Sequence, residues 1–267
     1  MRKRESPSEY KGFEGLVQIM KRLRGPGGCP WDREQDKESL KPFVIEEAYE
    51  VVEAIDNGEP SELREELGDL LLQVVFLSQL AEETGEFNID DVVFGIIEKL
   101  ERRHPHVFAE ASGLTTEEVV KNWASIKIDE KKEKGASSVL DGVPLQMPAL
   151  LRAHRLTEKA SRVGFDWDSI DGILAKLEEE LKEFEEAVAS KERLKMEEEL
   201  GDVIFSLVNI ARFLEVNPEE ALKKTIFKFV SRFLYMEEAI KVGGGEIRDA
   251  GLEEMERLWE EAKAAEK

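Results

Sequence analysis

The pentapeptide EELGD stands at residues 65–69 and again at 198–202, an offset of 133 in a chain of 267. Each copy opens an apolar pattern of helical period. The first runs Leu63, Leu67, Leu70, Leu71, Val74 and Val75, and the second Leu200, Val203, Ile204, Leu207, Val208 and Ile210. A duplicated segment with this rhythm, and no strand alternation beside it, must fold as helices and must do so twice. At the same offset Glu46, Glu47 and Glu50 align with Glu179, Glu180 and Glu183, and Glu66, Gly68 and Asp69 with Glu199, Gly201 and Asp202. With a few residues of drift, Trp31-Asp32 answers to Trp167-Asp168 and Trp123 to Trp259. The expected fold is all-α, built from two tandem helical repeats.

Turn signals divide the chain further. Asn57-Gly58-Glu59-Pro60-Ser61 separates two helices, with Ser61 as the expected N-cap. Thr84-Gly85 closes the second helix, Asn88–Asp91 opens a third, and His104-Pro105 stops it near Arg103. A fourth helix is expected from Leu114–Glu117. The tract Lys131–Ser138, followed by Pro144 and Pro148, reads as a joint. This places domains at 12–130 and 149–263 with a linker at 131–148. The second half is expected as helices at 151–162, 169–190, 192–214 and 218–239, then a short last helix carrying Trp259.

The repeated acids converge once the helices are folded back on each other. Counting outward from Gly58, Glu50 and Glu66 lie 8 residues away on either side, and Glu47 and Asp69 lie 11 away. At about 1.5 Å per residue, an antiparallel hairpin sets Glu50 level with Glu66 and Glu47 level with Asp69. The same count from Lys191 pairs Glu183 with Glu199 and Glu180 with Asp202. Four carboxylates this close cannot all stay ionised without a cation. Oxygen-only ligands favour Mg²⁺, with Mn²⁺ as a substitute, over zinc. Mg²⁺ held this way keeps positions for water and phosphate, which suits hydrolysis of a phosphoanhydride. The bland alternative is a solvated helix face, since Asp and Glu make up 59 residues. Matched depth in two copies counts against it.

Composition narrows the partners. With 59 acidic against 38 basic residues and a net charge of −21, neither a nucleic-acid backbone nor an anionic membrane is expected as partner. The single cysteine, Cys29, rules out an intrachain disulfide and a Cys-rich zinc site, and it reads as a packing residue. No apolar run approaches the length of a membrane span. A cytoplasmic location is expected. Glu101–His104 forms one ExxH, but its counterpart holds Val230 and Phe233, against a di-iron bundle. Gly25–Gly28 lacks the spacing and Lys-Ser/Thr ending of a P-loop. His104, His106 and His154 read as capping or structural residues. Trp31 and Trp167 read as core anchors ahead of each hairpin, with base platforms as the alternative.

The stretches FVIEEAYEVVEAI and LREELGDLLLQVVF resemble the MazG family of all-α nucleoside triphosphate pyrophosphohydrolases, whose signature is EExxE, a spacer and ExxD. GGCPWDREQ, KLERRHPHVF, VLDGVP, RVGFDWD and GLEEMERLWEE resemble the same family, so the likeness spans about residues 12–263. The resemblance implies Mg²⁺-dependent hydrolysis of nucleoside triphosphates to monophosphate and pyrophosphate. It also implies a homodimer whose helical bundles are completed across subunits. Its metal ligands match Glu47, Glu50, Glu66 and Asp69, then Glu180, Glu183, Glu199 and Asp202. Its nucleotide contacts match Lys176–Glu180, Lys195–Glu198, Lys228–Arg232 and Trp259. Ile226 departs from the Asn common there.

The supporting residues differ between copies. Phe43 stands opposite Lys176 and Glu62 opposite Lys195, so the first copy lacks two candidate phosphate contacts. Lys99, Arg102 and Arg103 parallel Lys228 and Arg232. The second site is therefore expected to be the stronger hydrolase, with Glu179, and Glu46 in the first copy, as candidate general bases. Alternatives are a hydrolase of another pyrophosphate-linked nucleotide, such as a modified dNTP or an alarmone, and a non-enzymatic acidic helical module.

Overall fold

The structure is a computed structural model that describes residues 10–108 and 138–265, together with 115, 116, 118, 119, 122, 123, 126 and 130. Of the expected helix start at Leu114–Glu117 the described residues are Thr115 and Thr116, with Thr116 helical and the Thr115 hydroxyl accepting from the Glu118 N–H at 3.3 Å, while most of the Lys131–Ser138 joint falls outside the described residues. All regular structure among the described residues is helical. The chain divides into two compact units, Met1–Lys127 and Ile128–Lys267.

In the first unit, helices Lys41–Asn57 and Pro60–Glu83 fold into an antiparallel hairpin, and Gly12–Arg24 packs against the second of them. Gly12–Arg24 lies ahead of the repeated block, so the repeat did not mark it. Between the hairpin helices Gly58 adopts φ 73° and ψ 14°, a left-handed conformation that costs glycine little. The next helix begins at Pro60 with Glu59 as its N-cap, so Ser61 is inside the helix and not its cap. Proline's fixed φ and missing N–H suit the first helical position, which draws the start forward. Asn88 caps Ile89–Arg103 as expected: its side chain accepts from the N–H groups of Asp90 and Asp91, and Asp91 accepts in return. His104 Nδ1 lies 2.7 Å from the Leu100 carbonyl, at the other end. The core gathers Val17 and Met20, Leu40, then Val75, Phe76 and Leu80, and Ile89.

The second unit repeats the hairpin in Ile170–Ser190 and Arg193–Phe213, and Ala149–Ser161 packs on the latter as Gly12–Arg24 does in the first unit. At the position of Gly58 stands Lys191, with the same left-handed geometry at φ 59° and ψ 21°. Helices Pro218–Val242 and Leu252–Ala265 follow, joined through Met236, Ile240 and Leu258.

Ion pairs fasten the segment that precedes each hairpin. Lys21, Arg24 and Lys37 reach Glu82, Glu83 and Glu86 at 2.9, 2.6 and 2.6 Å. Arg24 also donates to the carbonyls of Asp32 and Gln35, so one guanidinium holds the short Pro30–Glu34 helix and the end of the hairpin together. In the second unit Arg212 grips Asp166 with two nitrogens and donates to Asn209 at 2.9 Å.

The expectation for the two entry tryptophans needs correction. Trp31 and Trp167 are not core anchors: they are 53% and 37% exposed. Trp31 meets Phe43 edge-on, and Trp167 covers Gly172, where an added Cβ would lie 2.8 Å from the indole. The apolar stripes are likewise only half buried. Val75, Val203 and Val208 face inward, but Leu67, Leu71, Val74, Leu200, Ile204 and Leu207 are each 40–50% exposed. A wide stripe on a long helix has two apolar flanks, and packing within each unit covers one of them.

Candidate metal centre

Each hairpin brings three of its four aligned acids together. Glu47, Glu66 and Asp69 each offer an oxygen within 4.8 Å of the others, and Glu180, Glu199 and Asp202 do the same. The helical register explains this. Glu66 and Asp69 are one turn apart on one helix face, and the sharp turn sets Glu47 opposite them. Glu50 and Glu183 stand outside the trios but are close enough to act on them electrostatically.

Desolvation and crowding hold protons on particular carboxyls, Glu47, Glu66 and Glu199. The Glu66 carboxyl is held above its ordinary value by desolvation, then by the charges of Glu50, Asp69, Glu65 and Glu47. Glu199 is raised the same way, by desolvation and then by Glu183, Asp202, Glu198 and Glu180. Burial raises Glu47 and its acidic neighbours add to this, while a hydrogen bond from Gln73 Nε2 at 3.2 Å opposes the rise. A donor set of carboxylate oxygens this close together fits a hard divalent cation.

The two trios differ in what stands beside them. Lys176 Nζ lies 2.8 Å from Glu179 Oε1 and 2.9 Å from Glu180 Oε1, and its pKa is driven up by both contacts. Glu180 is buried, so this ammonium neutralises a carboxylate that would otherwise be costly. In the first unit Phe43 occupies the matching place.

The remaining candidates are distributed as follows. Glu46, Glu179 and Glu198 are exposed next to the ligands in sequence. Lys195 turns toward Glu192, at 3.7 Å. Arg232 sits 5.5 Å over the Trp259 ring, which also meets Phe229 at 5.3 Å, so these two candidates do come together. Lys228 is exposed on the same helix. Lys99 and Arg103 are four apart on Ile89–Arg103 and share a face of it.

Gln73 escaped the sequence reading. It lies four residues after Asp69, on the ligand face of the helix, and is 7% exposed. The signal was present: one long amide interrupts the run LLLQVVF.

Comparison with known proteins agrees with the duplicated geometry. Residues 35–108 and 168–233 match the MazG nucleotide pyrophosphohydrolase domain. The chain is 50% identical, over 94% of its length and 95% of the relative's, to a nucleoside triphosphate pyrophosphohydrolase/pyrophosphatase MazG of Thermotoga maritima. It is 43% identical, over 95% of its length and 98% of the relative's, to a nucleoside triphosphate pyrophosphohydrolase of Escherichia coli. A crystal structure of a mazG-related protein from Thermotoga maritima aligns with 43% of this chain and 98% of its own, at 29% identity and a TM-score of 0.38.

Proposed function

The chain belongs to the MazG nucleotide pyrophosphohydrolase family, and we propose that it uses its carboxylate trios, with Mg²⁺ or Mn²⁺, to hydrolyse nucleoside triphosphates between the α and β phosphorus. The products are a nucleoside monophosphate and pyrophosphate. The observation that carries this reading is the trio Glu180, Glu199 and Asp202, repeated in register as Glu47, Glu66 and Asp69. Glu183 and Glu50 are the proposed fourth ligands, each close enough to its trio to act on it by charge. When bound, the cation would offset charge developing on the reacting phosphate and acidify a water.

The chain's own residues divide the remaining work. Glu179, and Glu46 in the first unit, are proposed to accept the proton of the attacking water. Lys176, Lys195, Glu198, Lys228, Arg232 and Trp259 are proposed to hold the nucleotide at the second site, and Lys99 and Arg103 at the first. We assign the larger share of turnover to the second site, because Lys176 already stands in hydrogen-bonding reach of Glu180 where the first unit has Phe43. The proposed functional domains are 12–130 and 149–263, joined by 131–148. The exposed halves of the apolar stripes support a homodimer that covers them. Among the described residues no helix is long and apolar enough to cross a membrane. An enzyme acting on nucleotides in the cytoplasm fits this picture.

The test is pyrophosphate release from each NTP and dNTP, with Mg²⁺ and with EDTA, for wild type, Asp69→Ala and Asp202→Ala. Loss of a ligand from the working site removes several kcal/mol of transition-state stabilisation, a fall of at least about a hundredfold. The expected result is that fall for Asp202→Ala and a small effect for Asp69→Ala. Metal-independent release, or the reverse ranking, would sink the assignment.

A further inference from the structure

Glu47 has reason to leave its trio. It stands beside Glu66 and Asp69, whose like charges push it away. It also lines a cavity of about 230 Å³ together with Trp31, Phe43, Leu72 and Phe76, so it has room to swing. One contact opposes the swing. Gln73, on the facing helix and 7% exposed, donates from Nε2 to Glu47 Oε1 at 3.2 Å.

That aim costs stability. Gln73 Oε1 is buried with no hydrogen-bond partner, and buried acceptors left unmet are uncommon and destabilising. A methionine would fill the same space without this cost, so core packing does not account for a glutamine here. The hydrogen bond to Glu47 does, because a donor behind a ligating carboxylate governs how well that carboxylate holds a metal. The second unit anchors its equivalent acid by charge instead. At the offset of Gln73 it has Ser206, a much shorter side chain, and Lys176 Nζ reaches Glu180 Oε1 at 2.9 Å. An ammonium competes with a cation for that oxygen and offsets one charge of its cluster. An amide leaves the charge of the first cluster whole.

We propose that Gln73 is a positioning residue for the first metal site: its neutral amide fixes Glu47 against Glu66 and Asp69, so that the first unit binds a divalent cation without nucleotide and more tightly than the second unit does. In the second unit Lys176 competes for Glu180 until phosphate draws the ammonium away, so that unit gains its cation together with substrate. The proposal rests on the reading of the trios as metal sites.

The test is Mn²⁺ binding to the full chain without nucleotide, read by electron paramagnetic resonance of the free ion. Asp202→Ala leaves only the first site whole, and Asp69→Ala only the second. Asp202→Ala is expected to bind Mn²⁺ about tenfold or more tightly than Asp69→Ala. Adding Gln73→Met to Asp202→Ala, which keeps the volume and removes the donor, is expected to weaken that binding about tenfold or more. The same proteins are melted in EDTA. Gln73→Met is expected to melt no lower than its parent, because the unmet acceptor leaves with the donor. Leu80→Ala, added to Asp202→Ala in its place, opens a hole in the same core away from the trio and the cavity. It is expected to lower the melting temperature and leave Mn²⁺ affinity as it was. Binding by Asp202→Ala no tighter than by Asp69→Ala, or an affinity that Gln73→Met leaves unchanged, overturns this proposal alone. So does a fall of affinity and melting temperature together in Gln73→Met, or an equal loss of affinity in Leu80→Ala, since a merely structural role predicts both. Failure of Asp202→Ala and Asp69→Ala alike to bind Mn²⁺ overturns the metal reading of the trios, and this proposal with it.

Discussion

Lys176 Nζ stands 2.9 Å from Glu180 Oε1, one helical turn before it, and the residue one turn before Glu47 is Phe43. The ammonium therefore occupies the edge of one carboxylate trio and an aromatic ring the edge of the other.

Replacing Lys176 by Met should separate phosphate binding from metal binding. The variant loses a charge-assisted contact to substrate, so kcat/KM for NTP hydrolysis is expected to fall about tenfold. Glu180 loses its counter-ion at the same time, so apparent Mg²⁺ affinity is expected to hold or rise. Steady-state kinetics over a Mg²⁺ series reads both. A parallel loss of metal affinity would show that Lys176 only shapes the trio.

The raised carboxyls give a pH signature with a definite sign. Glu47, Glu66 and Glu199 have folded pKa values above the ordinary 4.5. Their contribution to stability is complete below that value and is lost as pH rises through the raised values. Metal-free protein should thus lose stability just above pH 4.5 from these groups. Mg²⁺ pairs with the ionised trios, so the rise in Tm on adding Mg²⁺ should grow between about pH 5 and about pH 8. Scanning calorimetry in EDTA and in Mg²⁺ measures it. A Tm increment independent of pH would contradict the trio as the binding site.

The shared hairpin turn offers a stability test that needs no substrate. Gly58 and Lys191 both take left-handed backbone, at φ 73° and 59°. A side chain in that region costs about 1 kcal/mol or more that glycine avoids. Lys191→Gly is expected to stabilise the second unit by about 1 kcal/mol, and Gly58→Ala to destabilise the first by a similar amount. Urea unfolding, followed for each variant, would show the opposite signs.

Arg24 ties together three segments through Glu83, Asp32 and Gln35. Its side chain is 8% exposed against 36% for Glu83, so truncation leaves two carbonyls and a partly shielded carboxylate without their donor. Arg24→Ala is expected to cost about 2 kcal/mol of stability. The Arg24 contact holds the Glu83 carboxyl below its ordinary value. That contribution is present above 4.5 and is lost as pH falls, so the gap between wild type and Arg24→Ala should narrow in acid. A gap that stays constant would mean that packing, not charge, carries the effect.

Much of this was legible from residue order. The 3.6-residue rhythm, the duplication and the Gly, Asn and Pro punctuation all act over a few neighbouring residues. They yielded both hairpins, the helix start at Asn88–Asp91 and the facing of Glu47 with Asp69. Identity at an offset of 133 added the asymmetry of Phe43 and Lys176. Other features depend on groups far apart in the chain meeting in space. The exposure of Trp31, the Arg24–Glu83 tie across 59 residues and the exclusion of Glu50 from its trio are of this kind. So is the unmet acceptor of Gln73, because a glutamine in a helix looks the same on paper whether its amide meets water or a packed interior. Local spacing sets which side chains share a helix face. Which of those faces is buried, and against what, follows from how the helices pack, and that packing is where the cavity beside Glu47 arises.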